Sequence, residues 1–152
     1  MKQYIITFVI ALIIGFFLCN FFIKQYNDYN GIKVVSNGYE LYFIEYGVYD
    51  EVTDMEKETI NLENYIYSEI DSKYHVYVGI TELDSVANKI VEHYKKLGYD
   101  TKVKQYSITN KEFINIIKNY DNLIINIEDE TAFSSLVSQV LTKYEEVVIR
   151  DS

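Results

Sequence analysis

The sequence predicts an α+β fold in the order β-α-β-β-α-β, followed by a helical hairpin and preceded by a transmembrane helix. Three observations predict it. The stretch Leu41–Tyr49, LYFIEYGVY, returns in diminished form at Tyr74–Thr81, YHVYVGIT, and each copy alternates apolar and polar residues into a glycine, Gly47 or Gly79, before a helical pattern begins. Two apolar stripes at 3- and 4-residue steps run between Phe113 and Val148. Ahead of both lies an uncharged apolar run, Tyr4–Ile23.

That run, YIITFVIALIIGFFLCNFFI, spans about 30 Å as a helix, the thickness of a bilayer core. It exceeds the apolar part of a cleaved secretory signal and lacks a small-x-small cleavage site, so it predicts an uncleaved anchor over residues 1–24. With Lys2 and a short tail before it and an acidic body after it, the C-terminal part is expected outside the cytoplasm, at the cell membrane on a single pass. Residues 25–38 form a short polar linker with Asn30-Gly31 and Asn37-Gly38 turn signals, and Ile32–Val35 is expected to pair back on the first strand.

In the first strand Tyr42, Ile44 and Tyr46 share one face and Leu41, Phe43 and Glu45 the other. Asp50 and Thr53 are expected to cap a helix over Val52–Asn64, whose polar side carries Glu51, Asp54, Glu58 and Glu63. Tyr65–Ile70 and Tyr74–Ile80 flank the turn Asp71-Ser72-Lys73 as a hairpin, with Tyr74, Val76 and Val78 on one face and His75 and Tyr77 on the other. Thr81 is expected to cap the next helix with Asp84 at its third position. Leu83, Val86, Ala87, Ile90, Tyr94 and Leu97 form its stripe, and Gly98 ends it in a left-handed conformation. A fourth strand follows over Tyr99–Ser107; its alternation leaves open whether Thr101, Val103 and Gln105 or Lys102, Lys104 and Tyr106 face the helices. Thr109–Glu112 reads as a capping box for the hairpin's first helix, with Phe113, Ile116, Ile117, Tyr120 and Ile124 as its stripe; Glu130–Val148 forms the second. The hairpin packs on itself or the sheet, or offers a groove to a protein partner.

Composition narrows function. The chain has 152 residues, 49% apolar and 16% aromatic, enough for one packed domain plus an appendage. Its formal charge is −9; without Lys2 and Lys24 there remain 12 basic against 23 acidic residues, a net of −11, which repels nucleic acid. The single cysteine, Cys19, lies in the apolar run, so neither an intrachain disulfide nor a thiol cluster is available. The two histidines, His75 and His93, fall in different elements, His93 on the polar side of its helix, and no metal-ligand spacing, nucleophile elbow or phosphate-binding loop occurs. No enzyme, metal or cofactor is expected.

The order of elements, the strands YFIEYGVY and YHVYVGIT and the closing LGYDTKV resemble the sporulation-related repeat (SPOR) domain over about residues 39–106, which sets the domain at residues 39–107. The resemblance implies a four-stranded antiparallel sheet of ferredoxin-like type and a module carried on a membrane anchor in bacterial cell division, sporulation or wall processing. It also implies binding of peptidoglycan glycan strands on the open sheet face. The family's Gln-x-Gly-x-Phe matches Glu45, Gly47 and Tyr49, and its Arg-Val-x-x-Gly matches His75, Val76 and Gly79. Lys73 stands near where some members carry a sugar-stacking aromatic. On the residues alone, Phe43, Glu45, His75 and Tyr77 would combine aromatic surface with polar tips, as sugars require. The alternatives are that the hairpin, residues 108–152, covers this face and makes Phe43 and Tyr77 core, or that the fold has lost glycan binding and serves as a protein-interaction domain through the sheet face or the hairpin.

Overall fold

In the computed structural model, which describes residues 38–149, the chain forms β1 (Tyr39–Tyr49), α1 (Val52–Thr59), β2 (Ile66–Ile70), β3 (Lys73–Thr81), α2 (Asp84–Lys96) and β4 (Lys102–Ile108). Two longer helices follow, α3 (Lys111–Asn126) and α4 (Glu130–Tyr144), and a π-helical turn, Glu145–Ile149, continues α4. The strands make one antiparallel sheet in the order β2-β3-β1-β4. The expected anchor, Tyr4–Ile23, and the linker up to residue 37 lie outside the described residues. Among the described residues, no helix is long and apolar enough to cross a membrane. The expected return strand, Ile32–Val35, also lies outside them; β1 is already flanked by β4 along Tyr39–Glu45 and by β3 along Tyr42–Tyr49.

Alternation along β1 divides the sheet into two faces. On one, Ile44 pairs with Gly79, and a Cβ built on that glycine would stand 3.0 Å from two side-chain carbons of Ile90 in α2. Gly79 therefore lets α2 approach the sheet closely. On the other face lie Leu41, Phe43 and Glu45. The β1–β3 register is irregular at this point: Phe43 pairs with Ile80 but Glu45 with Tyr77, leaving Val78 and Tyr46 without partners in the ladder. A residue inserted in each strand reverses the phase of the alternation. Hence Tyr77 and Ile80, three residues apart, join Phe43 on one face.

The turns and helix ends follow local chemistry, and several differ from the sequence expectations. Asp71 and Ser72 both have positive φ, 52° and 60°, as a two-residue hairpin turn requires. Helix α1 stops at Thr59, whose hydroxyl turns back to the Met55 carbonyl at 2.8 Å, and does not continue to Asn64. Neither Asp50 nor Thr53 caps it; Asp50 pairs with Lys73 at 2.9 Å and Thr53 donates to Glu51. Thr81 is two residues too early to cap α2, which follows Leu83, and its hydroxyl donates to Asp121 of α3 instead. The C-terminal end of α2 matches expectation. Gly98 has φ +89°, and the amides of Gly98 and Tyr99 donate to the carbonyls of Lys95 and Tyr94, both at 3.0 Å. The cap of α3 is Asn110 rather than Thr109, accepting from the Phe113 amide at 3.0 Å, and Asp129 caps α4 through the Ala132 amide at 2.7 Å.

One hydrophobic core joins the sheet to the hairpin, with Leu41, Phe43, Ile80, Val86, Ile90, Phe113, Ile117, Val137 and Leu141 in the same buried cluster. The buried stripe of α3 runs through Phe113, Ile114, Ile117, Asp121 and Ile124; the expected Ile116 and Tyr120 are only half-buried. Helix α4 starts against α2, where Phe133 meets His93 at 5.1 Å, and ends on the opposite face, where Tyr144 stands over Phe43 at 5.5 Å. The hairpin thus closes against the Phe43 side of the sheet.

Candidate functional site

The residues named as a sugar platform do share one face, but most of it is sealed. Phe43 and Tyr77 are each only 3% exposed. The Phe43 ring is met edge-on by Tyr77 at 5.4 Å, Tyr106 at 5.1 Å and Tyr144 at 5.5 Å, and Tyr144 in turn packs on Phe113 at 5.1 Å. Each such contact adds about 0.5–1.5 kcal/mol beyond the area it buries. The expected open platform is therefore an aromatic core layer, because the last turn of α4 lays a tyrosine on it.

Beside that layer remains a cleft of about 280 Å³ between the sheet and the π-helical turn, lined in part by Ile66, Ile70, Tyr77, Tyr106, Ile108 and Ile149. None of its lining residues carries a charge. On its sheet side the hydroxyls of Tyr77 and Tyr106 lie 2.7 Å apart. Burial, reinforced by the Tyr106 hydroxyl, holds the Tyr77 phenol well above the ordinary tyrosine range. It remains a neutral donor and acceptor.

Polar residues gather on the same face around Glu45, which pairs with Tyr77. Glu45 is 5% exposed and accepts from His75 Nδ1 at 2.8 Å, with the Lys104 ammonium 4.0 Å from its other oxygen. A carboxylate can only accept, so His75 Nδ1 is the donor in this bond. Lys102 pairs with Glu45 across the β1–β4 ladder, and Lys73 projects at the turn end beside Asp50. Of the motif residues, Val76 is buried behind this face; Gly47 and Tyr49 touch each other, Gly47 sitting where a Cβ would stand 2.6 Å from the Tyr49 hydroxyl.

Ser68 lies opposite His75 on β2, so serine, histidine and glutamate occupy three adjacent strands. A nucleophilic relay requires the serine hydroxyl bonded to the imidazole, whereas among the described residues His75 bonds to Glu45 and not to Ser68. Among the described residues, no group of three His, Cys, Asp or Glu side chains converges to hold a metal ion. His93 is not on a solvated face as expected; its side chain is mostly buried, bonded to Glu130 at 2.7 Å and packed on Phe133.

Sequence reasoning missed Tyr144, Tyr106 and the Lys102–Lys104 pair as members of this face. The alternation of Lys102, Lys104 and Tyr106 was visible, but only the pairing of β4 with β1 decides which way it points. Tyr144 belonged to a recognised apolar stripe with no sign of what it would cover. No protein-family model, curated protein or solved structure matches this chain.

Proposed function

We propose that this chain is a non-catalytic protein-interaction domain of SPOR-like architecture, held at the outer face of the cytoplasmic membrane by Tyr4–Ile23. The observation that carries this reading is the burial of Phe43, under Tyr144, and of Tyr77 beside it, since a glycan strand needs those rings accessible to its C–H faces. Glu45 points the same way. Its carboxylate is occupied by His75 and lacks the donor that an amide would offer a sugar.

Peptidoglycan binding is the second reading, favoured by one feature: the cleft sets aromatic walls beside the Tyr77 and Tyr106 hydroxyls. Two experiments on the whole chain separate the readings. The interaction reading expects a discrete cross-linked partner from native membranes and no co-sedimentation with purified sacculi, treated or untreated with amidase. Retention on sacculi that rises when stem peptides are removed would replace it with the glycan reading.

A further inference from the structure

We infer that the uncovered end of the Phe43 face, together with the neighbouring cleft, is a docking surface for a short acidic peptide segment that leads with an apolar side chain. This rests on the protein-interaction reading and names the chemistry of the partner. Two adjoining features argue for it.

The first is the cleft of about 280 Å³, with an uncharged lining in a chain where 24% of residues are charged. Its outer wall is Ile149, 48% exposed, and its inner wall is the Tyr77–Tyr106 pair. A charged side chain entering there would be desolvated without a partner, whereas an aromatic or branched aliphatic one would bury apolar surface and leave the hydroxyl pair intact. The second is charge. On the same face Lys104 and Lys102 stand opposite Phe43 and Glu45 on the edge strand β4, and Lys73 stands at the β2–β3 turn, a basic strip on a chain of net charge −9. Among the described residues, the acids paired with this strip are Glu45, which is buried and bonded to His75, and Asp50, which pairs with Lys73. Lys104 is only loosely engaged, at 4.0 Å from Glu45. Lysines on an edge strand also discourage unwanted strand pairing, but that role does not require a neutral cleft beside them.

A peptide that seats one apolar side chain in the cleft carries its following residues across Tyr106 toward Lys104 and Lys102. Carboxylates there gain two exposed ion pairs and steer the approach. An anionic membrane would meet the same lysines, but an extended surface of like charge is repelled by the chain as a whole, whereas a short peptide presents its few charges only to the strip.

The test uses fluorescence anisotropy of the purified chain with four labelled eight-residue probes: one with a Phe anchor and two following Glu, one with Lys for Glu, one with Ser for Phe, and one with both changes. The expected order puts the Phe–Glu probe about fivefold or more ahead of the Phe–Lys probe, the difference shrinking as salt is raised. The Ser–Glu probe is weaker than the Phe–Glu probe. Lys102→Glu with Lys104→Glu reverses the charge preference, and the milder Lys102→Gln with Lys104→Gln abolishes it; far-ultraviolet circular dichroism checks that both variants remain folded. Equal binding of acidic and basic probes, no binding below millimolar, or stronger binding to anionic vesicles than to the Phe–Glu probe would overturn the inference. If native membranes yield a partner that the Gln variant still captures fully, this surface is wrong and the interaction reading survives; if the parent chain captures none, that reading fails.

Discussion

Replacing Tyr144 with alanine probes the contact that closes the sheet face. The ring meets Phe43 at 5.5 Å and Phe113 at 5.1 Å, both near edge-to-face, so its loss removes two aromatic contacts and uncovers part of the Phe43 ring. Removing a fully buried aromatic costs about 3–5 kcal/mol. Tyr144 is only half-buried, which reduces the transfer part, but the two ring contacts at about 0.5–1.5 kcal/mol each are lost outright. The expected destabilisation is about 3 kcal/mol. For a slope of about 2 kcal/mol per molar urea, the unfolding midpoint falls by roughly 1.5 M. Tyr144→Phe keeps the ring and changes stability by less than about 0.5 kcal/mol. Urea unfolding followed by circular dichroism reads both. A Tyr144→Ala midpoint within about 0.3 M of the parent would show that the ring does not seal the face, and the reasoning that closes the platform would fail with it.

Three further outcomes concern stability away from this face. Asp121 is almost fully buried, accepting from the Thr81 hydroxyl and the Glu82 amide, both at 2.8 Å; burial raises its pKa above the ordinary 3.8 while those bonds oppose the rise. Because the folded value is the higher one, the linked stability is complete below the unfolded pKa and is lost as pH rises through the folded value. Asp121→Asn should therefore flatten the stability profile in the acid range. Asp121→Ala should instead cost about 1–3 kcal/mol near neutral pH by orphaning two donors; a parent and Asn variant with the same acid slope would contradict this. Gly98→Ala meets no atom within 4 Å but must hold φ near +89°, so it should cost about 1 kcal/mol from backbone strain alone, read as a lower thermal midpoint.

The order of elements was legible because each depends on local information. The repeated alternation into Gly47 and Gly79, the stripe of α2 and the left-handed Gly98 all sit within a few residues of what they determine. Helix starts were less legible. Thr81, Thr109 and Asp50 each have a capping side chain, but Asp121 and Lys73 compete for two of them, and Asn110, one residue later, takes the third helix. The site was legible only as a set of residues sharing a face. Its exposure depended on Tyr144, about a hundred positions from Phe43, and on the Val78 irregularity that brings Ile80 to the Tyr77 side. No local pattern encodes either.

Hydroxyl-radical footprinting with mass spectrometry tests the closed face most directly. The four informative rings are Phe43 and Tyr77, each 3% exposed, against Tyr39 and Tyr67, 47% and 50% exposed. The account predicts that Tyr39 and Tyr67 are labelled rapidly while Phe43 and Tyr77 are protected in the whole chain. Labelling of Phe43 and Tyr77 at the rate of Tyr67 would contradict it and return the open platform, with its glycan ligand, to first place.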